Sequence, residues 1–240
     1  MILSKLVTAA ALAAALTGAA VGSSAPGFDP SGFVLPDNAR SLVVVEGDGS
    51  ASGCTLYAYE KTDEGWTLSL ESAGCLGKNG FNNYRVEYDK TTPIGVWKAN
   101  TPFGQKDALD GFPKNYVKVD ESHVWNEKTN RLEQGTGASG EQVGTSRYAG
   151  YYDYCIDMGY NRNAYPKKGS ALFIHCMLPG DPDTSGCVEI PTEAMIKLMK
   201  LYGKYDDGTM FVACAPKGKV TKLYDAYGVC SGLSPDGDFR

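Results

Sequence analysis

From residue 41 onward the chain is built of short apolar runs, rich in β-branched and aromatic residues and broken by Gly, Pro, Asn and Asp. That pattern predicts strands. Residues 42–46 form one β-branched run, and residues 54–59 and 66–72 flank a turn at 61–65, which is a hairpin signal. Residues 85–88 alternate and lead into a further strand at 92–97. Residues 151–160 and 170–175 predict two more strands joined by a connection at 161–169, and 209–213 predicts a last one. A single helix is expected after residue 191. Thr192 stands at its cap, Met195, Leu198, Met199 and Tyr202 fall at i, i+3, i+4 and i+7, and Gly203 ends it. A methionine stripe at this spacing is core rather than a binding groove.

Two segments stand apart from this pattern. Residues 1–25 carry Lys5 near the start, an Ala-rich apolar run and small residues at 23–25, so a signal peptide is expected there. Residues 26–40, with several prolines and glycines, read as a linker. The folded domain is therefore expected over 41–240, with its core at 41–213. Residues 101–150 are long, polar and Gly-rich, which predicts a lid-like loop. This loop carries Trp125, Arg147 and His123; His123 is read as a solvated side chain.

A net charge of -5 without a long basic tract excludes nucleic acid as an expected partner and suits small polar ligands or a polymer.

The chemistry concentrates at residues 170–191, SALFIHCMLPGDPDTSGCVEIP. His175 ends an apolar run. Pro179, Gly180, Asp181, Pro182 and Asp183 force a loop, and Ser185-Gly186-Cys187 follows. A thiol becomes a nucleophile only as the thiolate, so it needs a base beside it, which makes Cys187 and His175 the candidate pair. Gly186 lets the backbone approach a substrate closely and turn an amide toward a developing oxyanion. Two other readings compete: Cys187 as a disulfide partner, or a zinc site from His175, Cys176, Cys187 and Cys214. The absence of close Cys pairs argues against zinc, as does the opposite facing of adjacent strand residues.

His175 followed by Ser185-Gly186-Cys187, with Thr92-Pro93-Ile94-Gly95 upstream, resembles the L,D-transpeptidases of bacterial cell walls (the YkuD domain). The resemblance covers residues 41–212. It implies an α+β fold, a mixed β-sandwich-like domain with one main helix. It also implies an acyltransferase acting on peptidoglycan stem peptides outside the cytoplasm, secreted or associated with the cell wall. Cys187 is then the nucleophile and His175 the base. Gly186 belongs to the oxyanion turn, Ser185 contacts substrate, and no cofactor or metal is needed. Water as acceptor makes the same protein an L,D-carboxypeptidase, and loss of turnover leaves a wall-binding protein. Where the family pattern has Arg two residues after the Cys, this chain has Glu189.

Seven cysteines in an exported chain suggest three bridges and one free thiol. Hairpin register pairs Cys155 with Cys176 and Cys54 with Cys75. Cys214 and Cys230 remain as the third pair, with Cys187 free.

Overall fold

In the computed structural model, residues 26–135, 139–205 and 209–228 are described. The expected signal peptide and Cys230 lie outside them. The strands are β1 (Ser41–Gly47), β2 (Gly53–Thr62), β3 (Gly65–Cys75), β4 (Phe81–Asn82), β5 (Thr92–Pro93), β6 (Gly95–Lys98), β7 (Pro102–Gly104) and β8 (Val117–Lys118). They continue with β9 (His123–Asn126), β10 (Arg131–Gln134), β11 (Gly140–Glu141), β12 (Cys155–Asp157), β13 (Phe173–Cys176) and β14 (Val188–Ile190). Helix α1 (Thr192–Gly203) and strand β15 (Met210–Ala215) close the order. The architecture is α+β. A curled ten-stranded mixed sheet runs β6-β15-β1-β2-β3-β14-β13-β12-β7-β8, with small sheets β10-β9-β11 and β4-β5 beside it.

Central strand β1 is apolar on both faces because both are covered. Val43 and Val45 enter the main core, while Leu42 and Val44 enter a second core on the other side. Strand β1 pairs parallel with β15 and antiparallel with β2. The β2–β3 hairpin closes where Thr62 faces Gly65, at a φ of 111° that Gly adopts without strain. The helix stripe is buried as expected, and Glu193 and Lys200 sit at the ends of α1 that favour their charges. Its N-cap, however, is Pro191; Thr192 is already helical and makes no side-chain cap.

The remaining differences have local causes. Residues 26–40 are not a bare linker. Phe28 packs edge-on against Tyr57 and Tyr59, and Phe33 against Tyr224, because the outer face of β1 and β2 needs an apolar cover. A 3-10 turn at Val220–Leu223 completes that cover. Residues 85–88 form a loop rather than a strand. The Asp89 carboxylate gathers the amides of Val86 and Thr91 and the hydroxyl of Thr91, which curls the backbone. Within 101–150 the described residues are structured and partly core. Trp125 stacks on Phe103 and stands edge-on to Phe173, 4.7 Å between ring centres, and its indole donates to Asn130. Burying such rings contributes about 2–3 kcal/mol each.

The cysteine register differs from expectation by one residue in both hairpins. Cys54 faces Gly74 and Cys155 faces His175, which turns each expected partner to the opposite face of its strand. All six described cysteines are free thiols, so the expected bridges Cys54–Cys75 and Cys155–Cys176 are not formed. The expected Cys214–Cys230 pair lies partly outside the described residues.

Candidate active site

His175 lies in β13, and Cys187 stands at the entry to the neighbouring strand β14. Strands β13 and β14 run parallel, with Ile174 beside Val188 and His175 beside Glu189. Cys187 directly precedes β14 and shares its face with Glu189, since alternate residues point the same way. Both His175 and Cys187 line one cleft of about 770 Å³. Ser185, Thr184, Glu189, Asp181 and Asp183 line its β14 side.

The His175 ring is held in one orientation. Its Nδ1 lies 2.9 Å from the carbonyl of Cys176. A carbonyl only accepts, so Nδ1 carries the proton and Nε2 is the lone-pair nitrogen. Tyr152 and Tyr151 stand edge-on to the imidazole at 5.3 and 6.3 Å. Tyr152 in turn donates its hydroxyl to Glu141. Burial drives the imidazole pKa down to about 4, so His175 is a neutral base at ordinary pH.

Cys187 is buried, and burial first, then the Glu141 charge, pushes its thiol up to about 12. Its sulfur donates to the carbonyl of Ala171 at 3.4 Å and accepts from the amide of Phe173 at 3.4 Å. Among the described residues no hydrogen bond joins it to the imidazole. The resting pair is therefore thiol and neutral imidazole, not thiolate and imidazolium.

The turn before the cysteine is tightly determined. Gly186 has φ 132°, and a Cβ there would stand 2.6 Å from an Arg85 guanidinium nitrogen and 2.7 Å from the Thr91 carbonyl. Only glycine fits. Its amide donates to Thr184 Oγ1 at 2.9 Å, and that hydroxyl donates to the Cys187 carbonyl at 2.7 Å. Ser185 is exposed on the cleft wall. The Thr92-Pro93-Ile94-Gly95 turn is scaffold for this loop. Thr92 accepts from the Gly77 amide and donates to the Gly186 carbonyl.

His123 is not solvated and does not compete for the base role. It is buried in β9, outside the cleft, with Nδ1 2.9 Å from Asp120. The hydrogen bond to Asp120 and the close packing of β9 against β10 explain the burial of a side chain that sits in a polar stretch of sequence.

Arg85, Glu141 and Tyr148 line the cleft without having been expected there, and Arg147 and Glu189 join them. Arg85 is buried beside Gly186, pairs with Asp89 at 3.2 Å and donates to the Thr91 carbonyl, with its Nε unpartnered. Glu141, Arg147 and Tyr148 come from the segment read as a lid. Glu189 is 1% exposed with Oε1 unpartnered, and burial, then Asp181 and Asp183, raise its carboxyl to about 7. The signal of Arg85, Glu141 and Tyr148 was faint because each reaches the cleft only through tertiary packing. Among the described residues no group of three His, Cys, Asp or Glu side chains is arranged to hold a metal ion. Compared with known proteins, no family model and no curated protein matches the chain.

Proposed function

We propose that the protein is a cysteine acyltransferase of the L,D-transpeptidase type, working on peptidoglycan stem peptides outside the cytoplasm. The observation that carries this reading is Cys187 and a tautomer-fixed His175 on one cleft wall, with Gly186 in a turn that admits no side chain.

In this mechanism Nε2 of His175 takes the thiol proton as Cys187 attacks the amide before the terminal D-Ala. The C–S bond forms and the C–N bond breaks. His175 returns the proton to the departing nitrogen, so D-Ala leaves with a neutral amine and a thioester remains. An amine of a second stem then forms the new C–N bond. It gives its proton through His175 to the leaving sulfur; water in its place yields hydrolysis. With the Gly186 amide committed to Thr184, the Cys187 amide is the donor of this turn that we assign to the oxyanion. The high thiol pKa fits a thiolate made at the moment of attack.

The test is intact-mass spectrometry after incubation with a carbapenem, together with D-Ala release from a tetrapeptide stem. Covalent adduct and release, both lost in Cys187→Ala, support the reading. No adduct and no release in the folded wild type would leave a binding protein instead, a reading favoured by the bond from the thiol to the Ala171 carbonyl.

A further inference from the structure

Beside His175 the cleft holds two carboxylates whose buried oxygens have no partner. Glu189 is the direct cross-strand neighbour of His175, and its Oε1 is buried and unpartnered. Asp181 lies on the loop between β13 and β14. Tyr151 reaches it with a hydrogen bond, yet its Oδ2 is also buried and unpartnered. Asp183 lines the same cleft, and among the described residues no Lys or Arg forms an ion pair with any of the three. Leaving a buried carboxylate oxygen without a donor is costly, and it is offset when a cation arrives. Elsewhere the lining includes the cations Arg85, Lys90 and Arg147. The arrangement of donors does not suit a metal ion, as noted above, so the fitting cation is an organic one.

We propose that Glu189 and Asp181, backed by Asp183, form a subsite for a primary ammonium and hold it next to Nε2 of His175. Resting on the acyl-transfer reading, this is the acceptor side of the cleft. Its ligand is an amine whose own carbon carries no carboxylate, such as a lysine-type side chain or an amidated diamino acid, because three carboxylates repel a fourth. The bound ammonium gives one proton to a carboxylate of the pair, which passes it to solvent. The neutral nitrogen attacks the thioester carbon, the C–N bond forms and the C–S bond breaks. The second N–H proton moves through His175 to the sulfur.

Binding and turnover test the subsite separately. Titrate Cys187→Ala protein with Nα-acetyl-lysine amide and with its neutral counterpart, Nα-acetyl-norleucine amide, following amide shifts by NMR. The cation is expected to bind at least about tenfold more tightly. Glu189→Gln and Asp181→Asn on that background should each remove most of the difference, whereas Glu64→Gln, at an exposed turn, should not. Cys187→Ser replaces the background if the alanine variant misfolds. Equal binding of the two probes, or a preference that survives Glu189→Gln, overturns the proposal. In wild-type enzyme, the acyl-enzyme should partition to Nα-acetyl-lysine amide over glycine, whose amine carbon carries a carboxylate, by at least about tenfold. Acylation without this preference sinks the subsite and leaves the proposed function standing. Charge-dependent binding without any acylation does the reverse.

Discussion

Thr92 Oγ1 donates a 3.0 Å hydrogen bond to the carbonyl of Gly186, tying the start of a distant turn to the residue before the thiol. The same oxygen accepts from the Gly77 amide. Thr92 is fully buried, so neither bond is replaced by water when the hydroxyl is lost. Thr92→Val should cost about 1–3 kcal/mol in chemical denaturation and slow carbapenem acylation, because a buried donor and acceptor are left unpaired. Thr92→Ser should recover most of both. Full stability and a normal acylation rate in Thr92→Val would show that the bond does not position the turn.

Gly186 is constrained twice, by its φ of 132° and by the Arg85 and Thr91 atoms that crowd its missing side chain. Gly186→Ala is expected to lose about 1–3 kcal/mol of stability from backbone strain, and more from the clash. Acylation should fall with it. A variant as stable and as reactive as wild type would show that the turn relaxes.

The thiol and imidazole described above are both neutral at rest. The ultraviolet absorbance of thiolate, taken as wild type minus Cys187→Ala, should therefore be absent near neutral pH and still absent at pH 9, since the thiol sits up at about 12 and His175 down at about 4. An ion pair would instead show that absorbance from acid pH upward, and such a result would overturn the assignment of a resting neutral pair.

Glu189 makes stability fall as pH rises. Its folded pKa, about 7, lies above the ordinary value of 4.5, so between these limits the folded state holds more protons than the unfolded chain. The stabilisation is complete below the unfolded value and lost as pH climbs through 7. His175 acts in the opposite sense between about 4 and 6.5, because its pKa is lowered. Comparing Glu189→Gln with wild type cancels the groups that do not interact with Glu189. The Tm advantage of the variant should grow from pH 5 to pH 8, and a constant difference would show that the carboxyl is not titrating there.

Much of this was legible in the sequence for physical reasons. The β2–β3 hairpin announced itself through two strand-like runs around a glycine turn, the helix through its four-residue stripe, His175 through the apolar run it ends, and Cys187 through the Ser-Gly-Cys turn and the need of a thiol for a base. What stayed hidden depends on packing between distant segments. Phe28 and Phe33 sit among prolines and glycines and look like linker, yet the uncovered face of β1 and β2 recruits them. Arg85 sits in an alternating stretch that Asp89 folds into a loop. Glu141 reaches the cleft because Trp125 anchors its sheet in the core. The cysteine pairs failed by a single residue of register. Sequence arithmetic does not resolve one residue, but the pleat turns it into a change of face.

The clasp between the first and last described segments has a further consequence. Val34 donates to the carbonyl of Tyr224, and the Asp29 amide donates to the Tyr224 hydroxyl, on the side of β1 and β2 away from the core that holds Cys187. The two ends of the described chain are therefore neighbours in space. A circular permutant that joins residue 28 to residue 226 through a short flexible linker, and opens the chain at the exposed Asp63–Glu64 turn, keeps every strand pairing of the ten-stranded sheet. Order along the chain and order within the sheet are separable here, and the cleft belongs to the sheet.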